Sequence, residues 1–117
     1  MKKTILLGIV CLLGVAATVT NGYIEKPFSV ANTNTNAGTA TLVGTATVVY
    51  ANSPFSISSN AVFAVPSGRT QDVIIRFDTS KIGRFTNYVR FTSNGGNLTN
   101  LVTGTVTPAG LVNFRIQ

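Results

Sequence analysis

Residues 70–77 read TQDVIIRF, and apolar and polar side chains alternate through this stretch. Val73, Ile75 and Phe77 share one face of an extended chain, whereas the charged side chains of Asp72 and Arg76 share the other. Alternation with a period of two residues is typical of a β-strand that buries one face and exposes the other. The stretch therefore predicts a strand at the surface of a hydrophobic core.

Similar short stretches recur along the chain, with turn-forming residues between them. Further strands are predicted at residues 27–32, 39–50, 55–57, 62–65, 85–92 and 98–107. The last two are joined through Asn94-Gly95, a strong hairpin signal because both residues adopt positive φ easily. About seven short strands without helical periodicity predict an all-β fold, an immunoglobulin-like antiparallel β-sandwich.

The beginning of the chain has the pattern of a secretory signal peptide. Lys2 and Lys3 precede an apolar run at residues 4–19, in which the small-residue site Val15-Ala16-Ala17 marks a cleavage point. As a helix, this run would span roughly 24 Å, less than the ~30 Å hydrocarbon core of a bilayer. We predict a signal peptide helix at residues 1–17, a domain at residues 18–107 and a tail at residues 108–117. The location is then extracytoplasmic: periplasmic, cell-surface or secreted.

The residue types of the chain argue against an enzyme. The sequence has no histidine, its single cysteine is Cys11 within the leader, and its acids are Glu25, Asp72 and Asp78. Acid–base and nucleophilic catalysis need a positioned His, Lys or carboxylate pair, and transition-metal sites need Cys or His clusters. We therefore predict no catalytic residue, no cofactor and no metal site.

The charge of the chain is positive but dispersed. Residues 18–117 hold seven Lys and Arg side chains against three acids, a net charge of +4. Nucleic-acid binding favours clustered cations with interleaved aromatic side chains, so no nucleic-acid partner is predicted. The net positive charge instead indicates a weak, salt-sensitive attraction to anionic cell-wall polymers or lipid headgroups. Membrane attachment is expected only through the leader, if it stays uncleaved.

A series of short motifs resembles the bacterial Ig-like repeats related to the abnormal-spindle/hydin domains, which occur in "choice-of-anchor" surface proteins. The resemblance covers residues 28–107, and it rests on the order of the motifs Pro54-Phe55-Ser56-Ile57, Val65-Pro66-Ser67-Gly68, Val73-Ile74-Ile75-Arg76-Phe77, Val89-Arg90-Phe91-Thr92-Ser93-Asn94 and Val102-Thr103-Gly104-Thr105. It implies a seven-stranded sandwich that serves as a spacer or binding module. It implies no catalytic residues and no general ligand site.

Two departures from that family concern the ends of the domain. The leader occupies most of the space of the family's opening strand, and a tail with alternating Val112, Phe114 and Ile116 follows the usual end. The opening strand can be replaced in three ways: by residues 18–24, by the tail folding back on its own domain, or by a strand from another molecule. The third is the strand-addition mode of assembly.

The function predicted from these features is that of an exported, non-enzymatic structural or binding module at the cell envelope or surface. Its partner would be a protein or a cell-envelope polymer, contacted by loops near Asn34 and Asn94 and by the outward side chains Ile74, Arg76, Tyr88 and Arg90. One alternative is an assembly subunit that self-associates by exchanging the strand with Val112, Phe114 and Ile116. Another is a stub of a longer multi-repeat surface protein.

Overall fold

The structure, a computed structural model, describes residues 5–8, 17–18, 22–33 and 40–117. All secondary structure in this part of the chain is extended. Its ten strands are β1 Ile5–Gly8, β2 Ala17–Thr18, β3 Tyr23–Asn32, β4 Leu42–Val48, β5 Phe55–Ser59, β6 Val62–Val65, β7 Thr70–Asp78, β8 Gly83–Ser93, β9 Gly96–Val106 and β10 Leu111–Ile116.

The strands form two sheets in which every pairing is antiparallel. Sheet A has the order β1-β3-β7-β5, and sheet B has the order β2-β10-β9-β8-β4-β6. The predicted immunoglobulin-like antiparallel β-sandwich is confirmed. Eight of the strands lie within residues 22–117, one more than the seven expected, because the tail contributes β10.

The core lies between the sheets, and valine and phenylalanine are its commonest residues. Phe28 of sheet A stacks on Phe91 of sheet B with ring centroids 4.4 Å apart, and Phe77 of sheet A lies 5.6 Å from Phe114 of sheet B. All four side chains are almost completely buried. Offset and tilted ring pairs at these distances add to the stabilisation that burial itself supplies. The inward positions predicted from the alternation at residues 70–77, Val73, Ile75 and Phe77, have no exposed surface.

At residues 5–8 and 17–18, the N-terminal segment differs from the helix predicted for it. The described residues of that segment are strands: Ile5–Gly8 pairs with residues 29–32 of β3, and Ala17–Thr18 pairs with the start of β10. An open sheet edge presents unpaired backbone N–H and C=O groups, and pairing with an edge satisfies them as well as a helix does. Ile5–Gly8 therefore forms the edge strand beside β3, and of the predicted replacement at residues 18–24, Tyr23 and Ile24 belong to β3 itself.

The hairpin between β8 and β9 is present, but its turn differs from the prediction. Ser93 pairs with Gly96, so Asn94-Gly95 forms the two-residue loop, yet the positive φ (133°) falls on Gly96. The reason is that Asn94 is held by the neighbouring strand β4. Its backbone N–H donates to the Val43 carbonyl (3.1 Å) and its Oδ1 accepts from the Val43 N–H (3.0 Å).

Candidate functional site

The four predicted contact residues do not form one surface. Ile74 and Arg76 lie on β7 of sheet A, whereas Tyr88 and Arg90 lie on β8 of sheet B. All four are on the outward phase of their strands, so the two pairs face away from each other on opposite sides of the sandwich. Ile74 and Arg76 are separated from Tyr88 and Arg90 because the chain crosses from one sheet to the other between β7 and β8.

Arg76 is engaged by its own sheet. Its Nε and Nη2 donate to Oε2 of Glu25 at 3.0 and 2.9 Å, and its guanidinium lies 4.0 Å from the ring centroid of Tyr23. Glu25 is the residue directly opposite Arg76 in the β3–β7 pairing, so the backbone register sets up this ion pair. Ile74 is only partly exposed and lies beside the irregular end of β5. On the outer face of sheet A, the positive charge of Arg76 is thus already neutralised by Glu25.

The ion pair has a consequence for acid stability. Hydrogen bonds from Ser58 and Arg76 hold the pKa of Glu25 below its usual range. A carboxyl group with a lowered folded pKa contributes its full stability above its ordinary pKa and loses it as the pH falls through the folded value. We expect Glu25→Gln to flatten the decline of the melting temperature between neutral pH and about pH 3. Arg76→Gln should flatten it similarly, and an unchanged decline in both variants would contradict the assignment.

The outer face of sheet B is a broad polar surface. Its side chains come from β4, β8, β9 and β10, and the cross-strand register arranges them in rows. We call this surface the threonine–arginine face, and it consists of Thr45, Thr47, Arg84, Thr86, Tyr88, Arg90, Thr92, Thr99, Thr103, Thr105, Asn113 and Arg115. These side chains are exposed or half-exposed. The opposite sides of the same strands fill the core.

Two adjacent rows at one end of this face form a shallow depression. One row joins Asn113, Thr105 and Arg84, and the next joins Arg115, Thr103 and Thr86. The depression has a volume of about 250 Å³ and is lined by these six side chains. It combines two guanidinium groups with hydroxyl and amide groups, so it offers charge-assisted and neutral hydrogen bonds over a small area.

The acidic side chains of the chain all lie outside the threonine–arginine face. Glu25 and Asp72 lie on strands of sheet A, and Asp78 is the last residue of β7. These are all the acids of the sequence, so no acidic side chain belongs to the threonine–arginine face. Arg84, Arg90 and Arg115 take part in no ion pair among the described residues. This surface therefore has a positive potential that its own residues do not cancel.

The loop beside this face is held by a buried side chain that the sequence analysis overlooked. Asn87 is completely buried, and its Nδ2 donates to the Tyr50 carbonyl (3.0 Å) and to Ser53 Oγ (2.6 Å). Its Oδ1 accepts from the Tyr50 N–H at 3.1 Å. The Tyr50 ring, fixed in this way, meets Tyr88 edge-on with centroids 6.2 Å apart. The sequence signal was an amide at an inward position, between Phe85 and Val89.

Removal of the Asn87 amide should loosen this loop. We expect Asn87→Ala to lower the free energy of unfolding by about 1–3 kcal/mol, because it leaves the Tyr50 backbone groups without their partner. Tyr50 itself is exposed, so water compensates part of the loss. Urea denaturation measures the effect, and Asn113→Ala, an exposed amide on β10, serves as the control. Equal stability of both variants would contradict the anchoring role.

The tail residues predicted as candidates for strand exchange are part of the chain's own core. Val112, Phe114 and Ile116 are buried on β10, which pairs with β9. Lys26 points inward from β3 and donates from Nζ to the Phe114 carbonyl at 2.5 Å, joining the two sheets. Partial burial lowers the pKa of Lys26, and the nearby charge of Arg115 adds to this. The tail therefore folds back on its own domain and extends sheet B beside β9, whereas the place beside β3 is occupied by β1.

The remaining polar features have local roles. Asp72 Oδ1 accepts from Ser29 Oγ (2.7 Å), and Asp78 Oδ1 accepts from the Ser80 N–H (2.8 Å). Backbone and side-chain hydrogen bonds from Ser80 lower the pKa of Asp78. The loop residue Asn94 is bound to β4, and the loop residue Asn34 lies outside the described residues. The structure thus uses both aspartates to fix strands and turns.

Within residues 5–8, 17–18, 22–33 and 40–117, no group of three or more His, Cys, Asp or Glu side chains is placed to hold a metal ion. The same residues include no helix that could cross a membrane. The fold and this face define an antiparallel β-sandwich with one acid-free, arginine-bearing sheet face. Comparison of the chain with protein-family models, curated proteins and solved structures finds no match.

Proposed function

We propose that this chain is an exported, non-enzymatic Ig-like module that acts at the cell envelope or surface as a binding domain. The observation that carries the proposal is the distribution of the acids: all three lie outside the threonine–arginine face, and the arginines of that face form no ion pair among the described residues. A rigid sheet face of this kind can recognise a partner without a pocket or catalytic group. The threonine–arginine face thus replaces the predicted contact set, of which it retains Tyr88 and Arg90.

The signal-peptide pattern at residues 1–17 supports export. The order of short motifs from Phe28 to Thr107 supports membership of the family related to the abnormal-spindle/hydin domains, and with it a role in a surface protein. The distribution of the three acids supports a non-enzymatic role, since each has a hydrogen-bonded partner in its own strand pair or turn.

Export is tested by fusing residues 1–30 to a reporter enzyme that folds only outside the cytoplasm. We expect an active reporter, and N-terminal sequencing of the released product should begin at Thr18. The matched control replaces Lys2 and Lys3 with Glu, which removes the basic start that a signal peptide requires. An inactive reporter in the unmodified fusion would contradict the proposed location.

Assembly by strand exchange is a second candidate, and one observation favours it. The edge of β3 is covered at residues 29–32 by Ile5–Gly8, a segment that cleavage after Ala17 would remove. The exposed edge could then pair with another copy, since unpaired edges are templates for strand addition. Light scattering after size-exclusion chromatography compares residues 18–117 with the full chain. Oligomers formed only by residues 18–117 would support assembly, and monomers in both would exclude it.

A further inference from the structure

We infer that the threonine–arginine face binds a linear acidic polysaccharide, laid along the strands of sheet B. This inference rests on the proposed function, because it names the partner of the proposed binding domain. The three arginines of the face supply the charge complementarity, and the rows of threonine between them supply hydroxyl groups. An envelope polymer with carboxylate groups on its sugars offers both kinds of partner.

The separation of the arginines favours a polymer over a small anion. Arg84 and Arg90 are six residues apart on β8, so their Cα atoms are separated by roughly 20 Å. Arg115 lies on β10, two strands away from Arg84 on β8, and belongs to the neighbouring cross-strand row. The Cα atoms of Arg115 and Arg84 are therefore roughly 12 Å apart. No single phosphate or carboxylate can contact all three side chains. An extended chain with repeated charges can contact them in sequence.

The chemistry between the arginines favours a sugar polymer over a nucleic acid. Thr86 lies opposite Thr103 across the β8–β9 pairing, and Thr105 occupies the next outward position of β9. Hydroxyl groups both donate and accept hydrogen bonds, as sugar hydroxyls do. Single-stranded nucleic acids are bound chiefly by stacking on several aromatic side chains. The face has one aromatic ring, Tyr88, and Tyr50 already contacts it edge-on.

The face is also unlike a surface that enters a lipid bilayer. The exposed large apolar side chains near it are Val43 on β4, Val62 on β6 and Leu111 on β10. Between Arg84 and Arg90 the outward side chains of β8 and β9 are polar except for Leu101, a half-buried residue opposite Tyr88. Peripheral insertion needs a contiguous apolar surface, whereas the strands β9 and β8 separate Leu111 from Val43 and Val62.

The test measures binding of the purified full chain to polygalacturonate and hyaluronate by biolayer interferometry, with neutral dextran as the uncharged probe. We expect binding to both acidic polymers and none to dextran. The variant Arg84→Gln/Arg115→Gln should weaken binding roughly tenfold and reduce the slope of log K against log salt by about two. The control variant Arg69→Gln/Arg76→Gln removes the same number of positive charges from positions outside the face and should change affinity less than about twofold.

Three results would overturn the inference: no binding to either acidic polymer, equal weakening in both double variants, or tighter binding to single-stranded DNA or anionic phosphatidylserine vesicles. Circular dichroism and thermal melts of each variant show whether it is folded, so that a misfolded protein is not read as a binding defect. The export reporter separates the two proposals. Export with no polysaccharide binding rejects only this inference, whereas failed export rejects the proposed location.

Discussion

Deletion of residues 111–117 is expected to leave the chain unfolded at room temperature. The deletion removes Val112, Phe114 and Ile116, all buried on β10. Each large apolar side chain contributes about 1.5–3 kcal/mol by burial, so the three together account for roughly 5–9 kcal/mol. The net stability of a domain is only about 5–15 kcal/mol, and the deletion also uncovers the edge of β9.

The point variant Phe114→Ala isolates the main contribution to this loss. The Phe114 ring lies 5.6 Å from Phe77 and 6.0 Å from Phe55, so truncation leaves a cavity between the sheets. We expect a loss of about 3–5 kcal/mol, measured by urea denaturation. Asn113→Ala, its exposed neighbour, should change stability by less than ~0.5 kcal/mol. A truncated chain that melts at the temperature of the full chain would show that β10 is dispensable.

Gly44→Ala is expected to have the second-largest effect. Gly44 lies on β4 where the strand pairs with both of its neighbours, opposite Phe63 of β6 and Ser93 of β8. A Cβ atom built on Gly44 would overlap the backbone oxygen of Thr92 and would lie 2.6 Å from Cζ of Phe63. The ring could move, but the backbone oxygen belongs to the β4–β8 pairing and cannot move without breaking the sheet.

Overpacking of this kind usually lowers the free energy of unfolding by about 1–3 kcal/mol. We expect a loss of about 3 kcal/mol or more here, because the obstacle is a backbone atom. The measurement is the urea midpoint of the purified variant. Thr45→Ala, on the exposed side of the same strand, is the matched control and should change stability by less than ~0.5 kcal/mol. Equal midpoints for the two variants would show that sheet B tolerates a side chain at this position.

Alternation alone was sufficient to predict most of the sandwich. The period-two pattern located β7 and β8 with the correct inward residues, because a strand that buries one face has apolar residues at alternate positions. The hairpin at Asn94-Gly95 was also predicted. Its φ values were not, since they depend on hydrogen bonds to Val43, a residue distant in sequence.

The candidate site was less predictable, because it depends on which strands share a sheet. Alternation shows that Arg76 and Arg90 both point outward, but it carries no information on whether β7 and β8 are neighbours. Arg84 and Arg115 meet only through the register of β8, β9 and β10. Asn87 could have been identified from the sequence as a polar residue at an inward position, but its hydrogen-bond partners could not. Local sequence therefore predicted the strands, and tertiary pairing created the face.

The central claim is that sheet B presents the binding face of this module, and a map of amide chemical shifts tests it most directly. Polygalacturonate is added to the ¹⁵N-labelled chain, and shifts are followed residue by residue. We predict changes concentrated on the threonine–arginine face, from Arg84 and Arg115 to Arg90, with the amides of β3 and β7 unaffected. Changes concentrated on sheet A, or spread evenly over every exposed lysine and arginine, would contradict the claim.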